Sequence, residues 1–303
     1  MTAHVIDPAE AATPFLAETR ACVAQLSRTP RIVGLLSDRE GPAHTYAQYT
    51  RQRAEAVGIN VDLWQVDAAR AACAIRDANA DLSVDGIFLY YPLVDPVEDR
   101  WLRELVDPRK DVEGMHSFWS RLLYENRRYV DDARSQRAIL PCTPLGILKL
   151  LETVELPARG NRAPLDGVMA CVINRSETVG RPLSAMLAND GAIVTSLDVA
   201  GAVIFEPATG THAHVARHSD RDRATALEEA DVVITGVPSR TFPLVTGEEI
   251  KAGAVCVNFS QYRNFDDSIL EVASTFIPRV GPMTVAMSMR NLLRLNVFRE
   301  PRD

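Results

Sequence analysis

VMACVINRSETVGRPLSAMLANDGAIVTSLD, residues 168–198, is the stretch that decides the fold. An apolar run, Val168–Ile173, reads as a buried strand and meets the polar turn Asn174–Val179 and Gly180. A helix pattern follows over Arg181–Asn189, then a second strand over Ala192–Leu197 that ends at Asp198. That is one β-turn-α-β unit. Its helix start offers backbone N–H groups and a positive dipole end to a pyrophosphate. Asp198 lies 18 residues after Gly180, where a carboxylate accepts hydrogen bonds from both ribose hydroxyls of an adenosine. The glycine spacing departs from GxGxxG, because Asn174 stands where a first glycine is expected, so the motif alone is also compatible with a plain strand-helix-strand. Asp198 bears on cofactor choice. The extra phosphate of NADP beside it, at ~4 Å and an effective dielectric of ~20, meets repulsion on the order of 4 kcal/mol per charge pair. Arg175 offsets part of that, and the balance favours NAD.

Working outward, the alternation continues on both sides. Toward the N-terminus we read a helix over 8–28, a strand over Ile32–Leu36, a helix over Ala43–Val57 closed by Gly58, a strand over Val61–Val66, a helix over 68–79 and a strand over Gly86–Tyr91 stopped by Pro92. Residues 93–141 are less regular, with Arg127-Arg128 and Asp131-Asp132 in a solvated hairpin or loop, and Thr143–Val154 is a helix with Pro144 in its first turn. Pro157–Pro164 is the expected linker. Beyond 198, strands are expected at Asp231–Thr235 and Ala254–Phe259, an exposed irregular insertion at 201–225, and an amphipathic helix at Thr284–Leu295. The pattern is that of an α/β protein with mostly parallel sheets and two domains: residues 1–150 completed by the C-terminal helix 284–303, and a Rossmann-type domain over 151–283.

The 303 residues suffice for two ordinary domains, and 47% apolar with 24% charged residues is usual for a globular chain. The net charge of −7, with basic residues scattered among acids, excludes a nucleic-acid reader. Apolar runs such as Gly86–Pro92 are far too short for a membrane span, and the first residues lack a signal pattern, so a cytoplasmic protein is expected. The five cysteines are widely spaced with no CxxC, which reads as reduced thiols; Cys22, Cys73 and Cys171 fall in helix or strand patterns as core positions. His212, His214 and His218 cluster in the insertion without acidic or cysteine partners at ligand spacing, so they read as loop residues and no metal is expected.

Several motifs in order resemble the methylenetetrahydrofolate dehydrogenase/cyclohydrolase family: GIFLYYPL (86–93), KDVEG (110–114), PCTPLGI (141–147), INRSETVGRP (173–182), DVVITGVPS (231–239), KAGAVCVNF (251–259) and VGPMTVAM (280–287). Together they span roughly residues 30–300. The resemblance is to the monofunctional NAD-dependent branch, and the departures from the bifunctional pattern carry it. The bifunctional lysine four residues after a tyrosine is here Thr50, following Tyr46, with Arg51 turned about 100° away on the helix. The glutamine that tunes that lysine is Tyr90, the common histidine is Asp198, and INRS replaces GRS.

The resemblance implies an N-terminal α/β domain, a dinucleotide domain, a cleft between them, and a homodimer formed through the nucleotide domains. Tyr46, Thr50 and Tyr90 would lie over the folate, or else simply pack helix on strand. Glu113 would hold the pterin amino and ring N–H groups, a task suited to a carboxylate, with Asp111 beside it and Pro282 also on the substrate side. Lys110-Asp111 has a plain alternative as a surface ion pair. Cys142 would lie near the reacting carbon, or else be a small buried thiol. The cofactor side would comprise Thr143, Arg175, Ser176, Asp198, Val199, Gly236, Val237, Pro238, Asn258, Phe259 and Ser260.

The implied reaction is oxidation of 5,10-methylenetetrahydrofolate by hydride transfer to NAD, without cyclohydrolase activity. Such a transfer asks the protein to hold donor and acceptor carbons ~3–3.5 Å apart and exclude water. Three alternatives stay open on sequence: the bifunctional enzyme, a shikimate-type dehydrogenase, and a non-catalytic folate- or nucleotide-binding protein.

Overall fold

The computed structural model describes residues 2–37, 40–157, 160, 162–208 and 213–296. Along the chain the elements are β1 (His4–Val5), α1 (Pro8–Val23), β2 (Arg31–Leu36), α2 (Pro42–Glu55), β3 (Asn60–Gln65), α3 (Ala71–Ala80), β4 (Gly86–Leu89), α4 (Pro96–Glu104) and α5 (Ser117–Tyr124). They continue with α6 (Cys142–Leu151), β5 (Met169–Ile173), α7 (Gly180–Asn189), β6 (Ile193–Asp198), β7 (Gly201–Pro207), β8 (His214–Ser219), α8 (Arg223–Glu229), β9 (Val232–Thr235), β10 (Val255–Asn258), α9 (Ile269–Val272), β11 (Thr275–Ile277) and α10 (Gly281–Asn296). No helix among the described residues is long and apolar enough to cross a membrane.

The chain divides into two compact α/β units. Among the described residues, the first gathers Thr13–Arg121, Tyr129–Cys142 and the C-terminal helix from Val285 to Asn296. Its sheet is three parallel strands in the order β3-β2-β4. Val33, Leu35, Ile87 and Leu89 from the sheet pack on Ala71, Ile75 and Ala78 of α3 and on Leu102 of α4. Strand β4 is an edge, and the chain at 110–113 runs along it: Ile87 donates its backbone N–H to the Lys110 carbonyl at 2.7 Å, with a parallel bridge between Ile87 and Asp111.

The second unit holds the chain through Ala12, Leu122–Arg128 and Thr143–Thr284. Its eight strands run β1-β11-β10-β9-β5-β6-β7-β8. All pairs are parallel except those of the β6-β7-β8 meander. The order reverses where β5 lies between β6 and β9, the switch point at which doubly wound sheets bind ligands.

The structure departs from the sequence reading in several places. Within 201–225, Gly201–Pro207 and His214–Ser219 pair as the antiparallel strands β7 and β8, and the start of α8 follows. Strand β8 escaped because its residues Val215–His218 are exposed, so no apolar alternation marks it; His212 lies outside the described residues. His214, read as a loop residue, sits in that strand, its Nδ1 3.0 Å from Asn189 Oδ1 and its ring against Phe205 and Tyr124. The stretch 93–141 contains α4 and α5 as well as the expected hairpin, which Val130 and Gln136 close. Helix α4 buries only Asp99 and Leu102, too little for a periodic signal, and is started instead by Asp95, whose carboxylate accepts from Val97 and Glu98 N–H. The first dozen residues, assigned by sequence to the folate-side half, join the nucleotide unit through β1 beside β11. Cys22 and Cys73, read as core, are exposed. The linker reading at Pro157–Pro164 falls partly outside the described residues, as does the chain after Asn296.

Candidate active site

The dinucleotide turn explains its own missing glycine. Asn174 has φ +90°, a left-handed conformation in which asparagine is among the few tolerated side chains. Its amide Nδ2 donates to the Gly236 carbonyl at 2.5 Å, joining the ends of β5 and β9 across the switch point. Gly180 is obligatory, since a Cβ there would stand 1.8 Å from the Asn174 carbonyl oxygen. The helix start is less free than its sequence implies. The Ser176 hydroxyl accepts from Val179 and Gly180 N–H, both at 3.3 Å.

Beside this turn a cavity of about 600 Å³ is lined by Asn174, Asp198, Val199, Arg221, Val237 and Pro238 among others. Asp198 ends β6 and accepts from Val199 N–H at 2.6 Å; Val199 is fully exposed. Arg175 is anchored: its Nη1 donates to the carbonyls of Ser196 (2.8 Å) and Gly201 (3.1 Å), bracing β6 to β7. Arg221, which no motif marked, donates to Thr195 Oγ1 and pairs with Glu229 at 2.9 Å.

The loop after β9 is held from 258–264. Ser260 Oγ donates to the Val237 carbonyl at 2.9 Å, and Asn258 Oδ1 accepts from Ser260 N–H. Gly236 is pressed against the Phe259 ring, 1.8 Å from where its Cβ would be. Asn264, fully buried and missed by sequence reading, accepts from Val237 N–H at 2.7 Å and donates to its carbonyl at 3.1 Å. Pro238 brings no N–H, so Val237 is the residue through which this loop is clamped. Thr143, in α6, places its hydroxyl 3.3 Å from that of Thr284, and Pro282 opens α10 at its first turn.

In the other unit, α2 and the end of β4 bring Tyr46, Thr50 and Tyr90, the residue after β4, together. Tyr90 stacks on Phe88, with centroids 4.5 Å apart, and meets the Tyr46 ring edge-on at 6.0 Å. Gly34 makes the room, because a Cβ there would stand 2.7 Å from Tyr90 Cε2. Thr50 is 1% exposed and its hydroxyl donates to the Tyr46 carbonyl at 2.9 Å. Burial pushes the Tyr90 phenol up, the Thr50 hydroxyl opposing. Tyr46 is also pushed well up, first by burial, then by Tyr90, Cys142 and Glu113 nearby.

Glu113 reaches back over the β4 edge, its Oε2 accepting from Leu89 N–H at 2.9 Å. Burial raises its carboxyl well above the ordinary 4.5, the Leu89 N–H opposing and Asp111 adding to the rise. Asp111 is committed to its own loop. Its two oxygens accept four backbone N–H groups, from Glu113, Gly114, Met115 and His116, at 2.8–3.1 Å. Burial raises it despite those bonds. Lys110 is no surface partner for it. The buried ammonium donates to the carbonyls of Ala78, Asn79 and Asp81, capping the C-terminus of α3 with all three donors. Cys142, 5% exposed, donates its thiol to the Val112 carbonyl at 3.2 Å. Burial, and then Glu113 and Asp111, push the thiol well up, so it stays protonated. Among the described residues no three His, Cys, Asp or Glu side chains converge as metal ligands would.

Two family profiles match the chain: tetrahydrofolate dehydrogenase/cyclohydrolase, catalytic domain, over residues 6–113, and the NAD(P)-binding domain of the same family over 141–299. Methylenetetrahydrofolate dehydrogenase (NAD(+)) of Saccharomyces cerevisiae is 42% identical over 279 residues, covering 88% of this chain and 86% of the relative. The Schizosaccharomyces pombe protein of the same name is 36% identical over 303 residues, covering 97% and 93%. The solved structure of the NAD-dependent 5,10-methylenetetrahydrofolate dehydrogenase from Saccharomyces cerevisiae is similar over 100% of both chains, with a TM-score of 0.90 at 36% identity.

Proposed function

Because this chain belongs to the tetrahydrofolate dehydrogenase/cyclohydrolase family, we propose that it oxidises 5,10-methylenetetrahydrofolate to 5,10-methenyltetrahydrofolate with NAD as the acceptor. The observation that carries this reading is the full-length likeness to the yeast NAD-dependent enzyme. The unit built on the three-stranded sheet takes the folate, and the eight-stranded unit takes the dinucleotide.

The nucleotide residues fit the cofactor. The left-handed turn at Asn174, the bare Gly180 and the cavity beside Asp198 together make an anion-and-ribose site at the switch point. Asp198 takes the adenosine ribose hydroxyls, Ser176 and the start of α7 take the pyrophosphate, and Gly236–Pro238 with Asn258–Ser260 line the nicotinamide side. Bound NAD supplies the hydride acceptor. The protein's own residues orient and exclude. Glu113 takes the pterin donors once ionised, and the rings of Tyr46, Phe88 and Tyr90 wall the site from water. Asp111 holds the Glu113 loop and, with its oxygens spent, does not bind folate. Cys142 remains a thiol and takes no covalent part.

Hydrolysis of the methenyl product needs a group to carry protons as the ring opens. Thr50 stands in the lysine's place with its hydroxyl bonded to Tyr46, and Arg51 cannot act as a base. The activity is therefore the dehydrogenase alone. We also infer a homodimer, supported by the exposed backbone edge of β8. The five unpaired cysteines suit a reducing compartment, and we place the protein in the cytoplasm.

The test is a spectroscopic assay of purified protein with methylenetetrahydrofolate and either NAD or NADP. NADH and methenyl product should form together. No turnover with NAD would overturn the reading.

A further inference from the structure

We propose that Asn291, in the C-terminal helix α10, is a positioning residue for Glu113, acting together with the Cys142 thiol through the carbonyl of Val112. The proposal rests on the reading of Glu113 as the pterin ligand.

Asn291 is fully buried. Its amide Nδ2 donates to the carbonyls of Val112 and Leu140, both at 3.0 Å, and stands 3.4 Å from Cys142 Sγ. The Cys142 thiol donates to that same Val112 carbonyl at 3.2 Å. This carbonyl shares its peptide plane with the Glu113 N–H, which donates to Asp111 Oδ1 at 3.1 Å. The next carbonyl, of Glu113 itself, accepts from Cys142 N–H at 3.2 Å. Both peptide groups of Glu113 are therefore fixed, and only its side chain is left to extend to Leu89 N–H at 2.9 Å. Gly114, at φ +70°, lets the loop lie flat on residues 140–141, since a Cβ would be 2.7 Å from the Leu140 carbonyl carbon.

The chemistry of the amide fits the place. A buried carbonyl, of Val112, and a partly buried one, of Leu140, need donors from separate segments. A neutral amide supplies both without adding a charge beside two carboxyls, and a carboxylate there would face two carbonyl oxygens. The thiol has the same task. It offers one donor to the same carbonyl, so PCTP contributes Cys142 as a strut and not as a nucleophile.

The experiment measures KM for methylenetetrahydrofolate and for NAD in Glu113→Gln, Asn291→Ala, Cys142→Ser, Cys142→Ala and the double variant Glu113→Gln/Asn291→Ala. Glu113→Gln should raise the folate KM about tenfold or more. Asn291→Ala should raise it in the same direction by about tenfold, with the NAD KM within about twofold, because the nucleotide residues belong to the other unit. Cys142→Ser, which keeps a donor, should stay near the parent, and Cys142→Ala should not. The double variant should be no worse than Glu113→Gln alone, the signature of a residue that acts through another. Additive losses, parallel rises in both KM values, or an unchanged folate KM in Asn291→Ala overturn the inference. An unchanged folate KM in Glu113→Gln overturns the reading of Glu113 itself. If Asn291→Ala does not fold, Asn291→Ser is measured the same way, and equal folate KM values for Cys142→Ser and Cys142→Ala then overturn the strut.

Discussion

On the proposed reading, Thr50 and Tyr90 set which reactions the folate unit performs. A threonine hydroxyl does not titrate near neutrality, and the Tyr90 phenol is pushed further from it by burial. Methenyltetrahydrofolate should accumulate during turnover and decay at the buffer's own rate; loss of its absorbance in proportion to enzyme would refute this. Thr50→Lys with Tyr90→Gln is the converse test, and the appearance of formyl product is expected if these two side chains set the activity. Glu113 carries a second prediction. Its raised titration means the fold favours the neutral acid, so its contribution to stability is present below the ordinary 4.5 and is lost as pH rises through the raised value. Pterin donors need the ionised form. Folate KM should therefore fall as pH rises across that titration, and Glu113→Gln should flatten the profile and weaken folate by ~10–100-fold. Asp198 carries a third: NAD should be reduced far better than NADP, and Asp198→Ser should narrow the gap. Equal turnover of both cofactors by the parent protein would show that the carboxylate does not discriminate.

At the scale of elements, the turn between β5 and α7 is the least forgiving part of the nucleotide unit. Gly180→Ala forces the Asn174 carbonyl away from the helix start. We expect at least about a tenfold loss in NAD affinity by calorimetric titration, with folate binding unchanged. Asn174→Ala should cost about 1–2 kcal/mol in a urea melt, because alanine pays for the left-handed backbone and loses the bond to Gly236. Asn174→Gly should recover most of that backbone cost. Equal melts for the alanine and glycine variants would show that the conformation of this turn carries no strain.

For the whole molecule, light scattering at micromolar concentration should report a dimer; a monomer there counts against pairing through the β8 edge. Much of this architecture was legible in the chain. Apolar runs of strand length alternating with helical periods marked β2 through β4 and β5, β6, β9 and β10, because buried parallel strands carry near-continuous apolar residues. The Asn174–Gly180 turn was legible for a related reason: backbone geometry there restricts residue type, so type reveals geometry. The exposed face of β8 and the scant burial of α4 left no such mark. Which polar side chains are committed to backbone groups and which are left to extend was decided by tertiary structure alone. Asp111 and Glu113 are two residues apart and both acidic, yet four N–H groups consume one while the other extends over a strand edge. Lys110 caps a helix about thirty residues away, and Asn264 and Asn291 clamp peptides far off in the chain. Hydrogen bonds of this kind depend on separations that folding creates, and no local period records them.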